Sequence, residues 1–174
     1  MSRGTGGVPL LVVAELPRDV FAWADALRRA HYPADRNRLG AHVTLFHGLP
    51  PSAEREVRSI LAELSRRRPP EAVIQGLMDL GRGTALVVDS AGMVDLHEEM
   101  AERLHGFIQQ KDARPLRLHI TIQNKVAPSD ARALQAAIAP SLQPRAFRFH
   151  GLGVYGWTGT IWRRDRVFPF RGIR

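Results

Sequence analysis

Residues 8–14 form an unbroken apolar, β-branched run that stops before Pro17, the pattern of a strand buried on both faces. The period then changes. Between residues 19 and 30, Val20, Trp23, Ala24 and Leu27 recur at helical spacing, and Arg28 and Arg29 stand near the end, where cations complement the helix macrodipole. A polar loop with Pro33, Asp35, Asn37 and Gly40 leads into residues 41–46, whose alternating β-branched pattern predicts a strand ended by Pro50 and Pro51. Ser52 is the expected N-cap of a helix over residues 53–67, buried through Val57, Ile60, Leu61 and Leu64 and stopped by Pro69 and Pro70. Residues 72–80 and 84–89 read as a hairpin across Gly81-Arg82-Gly83. The remainder predicts a helix over 93–107, a strand over 114–123, a helix over 129–138 ended by Pro140, and a last hairpin of 147–155 with 160–164.

The second half of this α+β pattern echoes the first. Setting His42 over His119 aligns HVTLFHGLPPSAER with HITIQNKVAPSDAR, so that His, Thr, Pro51 with Pro128, Ser52 with Ser129 and Arg55 with Arg132 coincide. After the helices the match resumes with Gln75-Gly76-Leu77 over His150-Gly151-Leu152, so each copy is expected to close with a similar hairpin. Two copies are too few for a solenoid. They predict two pseudo-two-fold related lobes, each an antiparallel sheet flanked by helices, around a central groove. Residues 1–7 are expected to be a disordered lead-in and residues 8–174 a single bilobal domain.

Composition narrows the chemistry. With no cysteine, thiolate nucleophiles, disulfides and thiolate metal sites are excluded, and a reducing compartment is expected. The apolar run over 8–14 is too short to span a bilayer and lacks a signal-peptide layout, so a cytoplasmic location without membrane association is expected. Twenty-five Lys and Arg against seventeen Asp and Glu give a net charge of +8, carried almost wholly by arginine, with lysine only at Lys111 and Lys125. Such a surface suits anions, phosphate and nucleic acid among them.

On a regular strand, His42, Thr44 and Phe46 share one face, while Val43 and Leu45 point into the core. Arg117, His119, Thr121, Gln123 and Lys125 share a face of the second strand in the same way. Facing lobes then bring together two imidazoles, two hydroxyls and one or two cations, a set suited to a phosphate. Breaking a phosphodiester needs a proton acceptor on one side and a donor on the other, and a ring with a pKa of about 6.5 serves as either near neutral pH without a metal. The threonine hydroxyls can donate to nonbridging oxygens, with Arg117 a forked donor and Lys125 a point charge. Phe46 is the expected stacking surface for a base, opposite a hydrogen-bonding Gln123, with Tyr155 and Trp157 next. His47 has the wrong parity for the groove on a regular strand and reads as a loop histidine or one that stands behind the groups touching the substrate, rather than a catalytic one. His97-Glu98 begins like a zinc-protease motif, but Ala101 stands where the second histidine belongs, leaving His97 and His105 as surface residues. His150 reads as structural or rim.

The doubled motif His42-Val43-Thr44-Leu45 and His119-Ile120-Thr121-Ile122, half a chain apart in apolar strands, resembles that of the 2H phosphoesterases, which include 2′-5′ RNA ligase-like proteins and cyclic nucleotide phosphodiesterases. The resemblance covers nearly the full length. It implies a metal-independent, cofactor-free phosphodiesterase that opens a 2′,3′-cyclic phosphate of an RNA terminus or nucleotide to a 2′-phosphate. By the same resemblance His119 is the base that activates water and His42 the acid that protonates the departing 3′ oxygen; the spacing alone assigns neither role. Many ligase-like members carry an arginine shortly after a motif, whereas Phe46-His47 and Gln123-Asn124-Lys125 follow here, which speaks against the ligase branch. The alternatives are 2′-5′ RNA ligation, a noncatalytic RNA-binding protein and a metallohydrolase, the last lacking a third ligand at zinc-like spacing. RNA ends or cyclic-phosphate nucleotides are the expected partners, and a monomer the expected state.

Overall fold

Strand β1 (Leu10–Glu15) is buried along its whole length, which explains its unbroken apolar sequence. Leu10, Val12 and Ala14 enter the main core, while Leu11 and Val13 pack on the opposite face with Tyr155, Leu39 and Trp162. The computed structural model describes residues 7–173, so the expected lead-in lies, apart from Gly7, outside the described residues. Helix α1 (Arg18–His31) follows, then β2 (Val43–Leu49), α2 (Glu54–Leu64), β3 (Glu71–Asp79), β4 (Thr84–Asp89) and α3 (Ala91–Arg103). The second half runs through β5 (His119–Gln123), α4 (Pro128–Ile138), β6 (Arg145–Arg148), β7 (Gly151–Trp157) and β8 (Trp162–Pro169).

The strands form two antiparallel four-stranded sheets, ordered β2-β1-β7-β8 and β5-β4-β3-β6. The hairpin across Gly81 forms as expected, with Gly81 at φ 80° and the Leu80 N–H donating to the Gly83 carbonyl at 3.0 Å. The two repeats nevertheless exchange strands. β3 follows the first motif in sequence but pairs with β4 in the sheet of the second, and β7 follows the second motif but pairs with β1 in the sheet of the first. Closure of each sheet therefore depends on the other half of the chain. One apolar cluster runs through both sheets, from Val12 and Val43 to Ile74, Leu86 and Ile120.

Several expected boundaries shift for local reasons. The strand expected from residue 114 begins only at His119, and Pro115, which has no N–H for a ladder, lies in the irregular lead-in before it. Ser52 does not cap α2; Pro51–Ala53 forms a 3-10 turn that feeds the helix at Glu54. Ser90 caps α3, accepting from the Met93 N–H at 3.3 Å while its hydroxyl donates to the Glu71 carbonyl at 2.6 Å. The segment expected as one strand over 147–155 is divided into β6 and β7, and its partner extends to Pro169.

Candidate active site

Both His-x-Thr motifs lie at edge strands, with His42 immediately before β2 and His119 the first residue of β5. β2 ends one sheet, β5 ends the other, and the two edges pack against each other. Thr44 pairs with Val13, Thr121 with Ala85 and His119 with Val87. Both histidines and both threonines are half-buried.

The two rings are held identically. His42 Nδ1 lies 2.7 Å from the Gly40 carbonyl and His119 Nδ1 2.7 Å from the Arg117 carbonyl, in each case two residues upstream. A carbonyl only accepts, so each Nδ1 carries the proton and Nε2 is left as the reactive nitrogen. A close approach of α1 fixes the first anchor: the Ala41 N–H donates to Asp25 at 2.9 Å, and a Cβ at Gly40 would come within 3.1 Å of the Phe21 ring.

Arg28 joins the two halves. It is 4% exposed, its Nε donates to Asn37 Oδ1 at 2.8 Å, its Nη1 donates to the Thr121 carbonyl at 2.8 Å, and its guanidinium lies 4.3 Å from the Tyr32 ring centroid. That carbonyl is on the open edge of β5, so the arginine satisfies a polar group that no strand covers. Burial lowers the Arg28 pKa, opposed by Tyr32 and Asp25. The His42 pKa falls from 6.5 to about 4, chiefly through burial, with Arg28, His119 and His47 adding in the same direction and the Gly40 carbonyl opposing. At neutral pH His42 therefore offers an unprotonated Nε2.

A family model described as the 2′-5′ RNA ligase superfamily matches residues 16–160, most of the chain. The chain belongs to the 2′-5′ RNA ligase superfamily. Solved structures with the same fold include TT0787 of Thermus thermophilus, at 17% identity and a TM-score of 0.66 over 95% of this chain and 100% of that one. Another is LigT of E. coli complexed with 3′-AMP, at 14% identity and a TM-score of 0.60 over 94% and 98% of the two chains. A third is Usb1 of Kluyveromyces marxianus with uridine monophosphate, at 15% identity and a TM-score of 0.51 over 94% and 98%. No curated protein matches the sequence. The shared architecture is the bilobal 2H phosphoesterase fold.

Beyond the doubled motif, this member of the 2′-5′ RNA ligase superfamily departs from several sequence expectations. Val12 pairs with Phe46 while Val13 pairs with Thr44, so one step on β1 meets two on β2, a β-bulge at Leu45. The extra residue reverses parity. Phe46 turns into the core, 0% exposed and stacked at 4.8 Å on His97, so the expected base-stacking surface is not available. His97 is correspondingly buried rather than at the surface, and its pKa is lowered by that burial, against opposing effects of the Leu45 backbone, Asp112 and Glu98. His47, expected in a loop or behind the catalytic groups, lies within β2 on its open face, so the loop alternative and the parity argument fail.

Gln123 is also withdrawn: it is 5% exposed, pairs with Thr84 at the end of the β4–β5 ladder and accepts from the Thr84 hydroxyl at 3.1 Å. Lys125 lies beyond β5 in the left-handed region at φ 61°, exposed, and its carbonyl accepts from Arg36 at 3.2 Å. Arg117 is exposed two residues before His119. Tyr155 is 7% exposed and donates to Glu15 at 2.6 Å, and its phenol pKa is raised by burial and by that carboxylate. It lines a cavity of about 550 Å³ beside the Gly40-Ala41 lead-in to His42, with Trp162, Arg18, Arg164 and His150. Trp157 packs on Trp162 at the final turn, 5.5 Å between ring centroids. Sequence patterning missed Arg28, read there only as a helix-end cation, and Asp112, whose chain position carries no periodic signal.

No described helix is long and apolar enough to cross a membrane.

Proposed function

We propose that this chain is a phosphodiesterase that hydrolyses a 2′,3′-cyclic phosphate, of an RNA terminus or a nucleotide, to a 2′-phosphate by paired histidine acid–base catalysis without a cofactor. One observation carries the proposal: two imidazoles at the packed edges of the two sheets, His42 just before β2 and His119 at the start of β5, each with Nδ1 committed to the carbonyl two residues upstream and Nε2 left for the substrate. In this reaction His119 Nε2 takes a proton from water as the water oxygen adds to phosphorus, and His42 Nε2 returns a proton to the 3′ oxygen as its bond to phosphorus breaks. Thr44 and Thr121 donate to the nonbridging oxygens, and Arg117 and Lys125 add positive charge at the rim.

Because His42 is unprotonated above about pH 4 in the free protein, its donor role follows substrate binding. The arriving phosphate anion opposes the desolvation that strips the ring of its proton. The cavity walled by Tyr155 and Trp162 is wide enough for the nucleoside, and its two arginines suit a nucleotide.

The test is a panel of 2′,3′-cyclic and 2′-5′-linked nucleotides incubated in EDTA, with the product identified by phosphorus NMR. Hydrolysis to the 2′-phosphate is expected. His42→Ala or His119→Ala should each reduce kcat by roughly 10²–10⁴, and the double variant little further, because the rings act as a unit. Full turnover by either single variant would refute the proposal, and a joined 2′-5′ product would assign the site to ligation.

A further inference from the structure

The segment after α3 returns one carboxylate beneath β2. Asp112, with a side chain 2% exposed, accepts from the His47 backbone N–H through both oxygens at 3.0 Å, and from the Gly48 N–H at 3.4 Å. His47 Nδ1 lies 2.9 Å from Asp112 Oδ1. Hydrogen bonds from both residues after the bulge hold Asp112 ionised, its pKa below the ordinary value despite the opposing effect of burial. The carboxylate accepts, so Nδ1 is the donor and the ring is fixed in one orientation with Nε2 directed away from it.

The His47 side chain is 52% exposed, on the face of β2 that carries Thr44. With the residue taken up by the bulge at Leu45 set aside, about two strand steps, or roughly 7 Å, separate the two positions. His47 is also within electrostatic reach of His42. A phosphate at Nε2 and the carboxylate at Nδ1 would hold the ring from both sides.

We infer that His47, oriented by Asp112, binds the phosphate that links the terminal nucleotide to its neighbour, so that the substrate is the end of an RNA chain rather than a lone cyclic mononucleotide. The inference rests on the phosphodiesterase assignment above, since it takes the scissile phosphate to lie between His42 and His119. His47 is then a binding residue, and Asp112 positions it.

Binding of product-like nucleotides tests this without requiring turnover. Histidine ring ¹⁵N resonances of the wild-type protein are followed during titration with adenosine 2′-monophosphate, with adenosine 2′,5′-bisphosphate, and with a diadenosine dinucleotide ending in a 2′-phosphate. His42 and His119 are expected to respond to all three, and His47 to the bisphosphate and the dinucleotide only. Affinity should favour those two over the monophosphate by about tenfold, a preference that His47→Gln abolishes and Asp112→Asn weakens.

A silent His47 ring alongside responding His42 and His119 rings would overturn this inference alone. A response to the bisphosphate but not the dinucleotide would overturn the RNA-end assignment in favour of a free 5′-phosphate. Equal loss of affinity for all three ligands in His47→Gln would reduce the pair to a structural tie. Absence of any response at His42 and His119 would remove the phosphodiesterase site and this inference with it.

Discussion

Arg28 Nη1 meets the Thr121 carbonyl at 2.8 Å, joining residues 93 apart in sequence and tying the last turn of α1 to the strand that carries the second motif. The guanidinium bridges this carbonyl and Asn37 at once, which a single ammonium on a flexible stem reproduces poorly. Arg28→Ala should lower stability by about 2–4 kcal/mol, by leaving a strand-edge carbonyl unpaired and removing buried packing. Arg28→Lys should fold but lose roughly tenfold in kcat/KM through misplacement of β5. Urea denaturation and steady-state kinetics measure the two effects separately.

Phe46 is a core residue. Phe46→Ala should cost about 3–5 kcal/mol through the cavity left against His97, whereas Phe46→Leu should cost much less. Nucleotide affinity of Phe46→Leu should equal that of the wild type. A drop in affinity at unchanged stability would contradict its placement away from the groove.

Tyr155 and Glu15 are buried together at 2.6 Å, so removing the hydroxyl leaves a carboxylate without its close donor. Tyr155→Phe should lose about 1–3 kcal/mol, and adding Glu15→Leu in that background should recover part of the loss. The two changes should therefore be non-additive in a denaturation cycle.

Stability should fall as the solution is acidified from about pH 6.5 toward about pH 4. Over that interval the unfolded chain protonates His42 at its ordinary 6.5, whereas the folded chain resists protonation down to about 4. The unfolded state binds more protons, so acid favours it, by at most about 3 kcal/mol for this ring. His97, also shifted down by burial, acts in the same direction. Thermal melts across this range should show the slope, and His42→Gln should flatten it. A pH-independent melting temperature from about pH 7 to about pH 4 would show that His42 is not desolvated.

The elements were legible in the sequence because their signals are local. Apolar period, proline and glycine punctuation and the repeated His-x-Thr placed the four α-helices of the described residues, and located each of their strand segments except for the break between β6 and β7. The α+β class and the doubling into two lobes followed from the same signals. What lay beyond reach were features set by pairing between distant segments. The bulge at Leu45 exists because β2 must pair with β1 through register shifts, and a single extra residue turns Phe46 into the core and brings His47 to the open face. The same limit applies to Asp112, which finds its partner 65 residues away.

The amino-acid sequence by itself thus determined the element order, the duplication and the residue types available for chemistry, since each depends on neighbours along the chain. Only the tertiary structure decided the exchange of β3 and β7 between sheets, the burial that depresses His42, and the set of side chains meeting at the two edges. Desolvation and strand register are properties of segments brought together in space, and no periodicity within one segment encodes them.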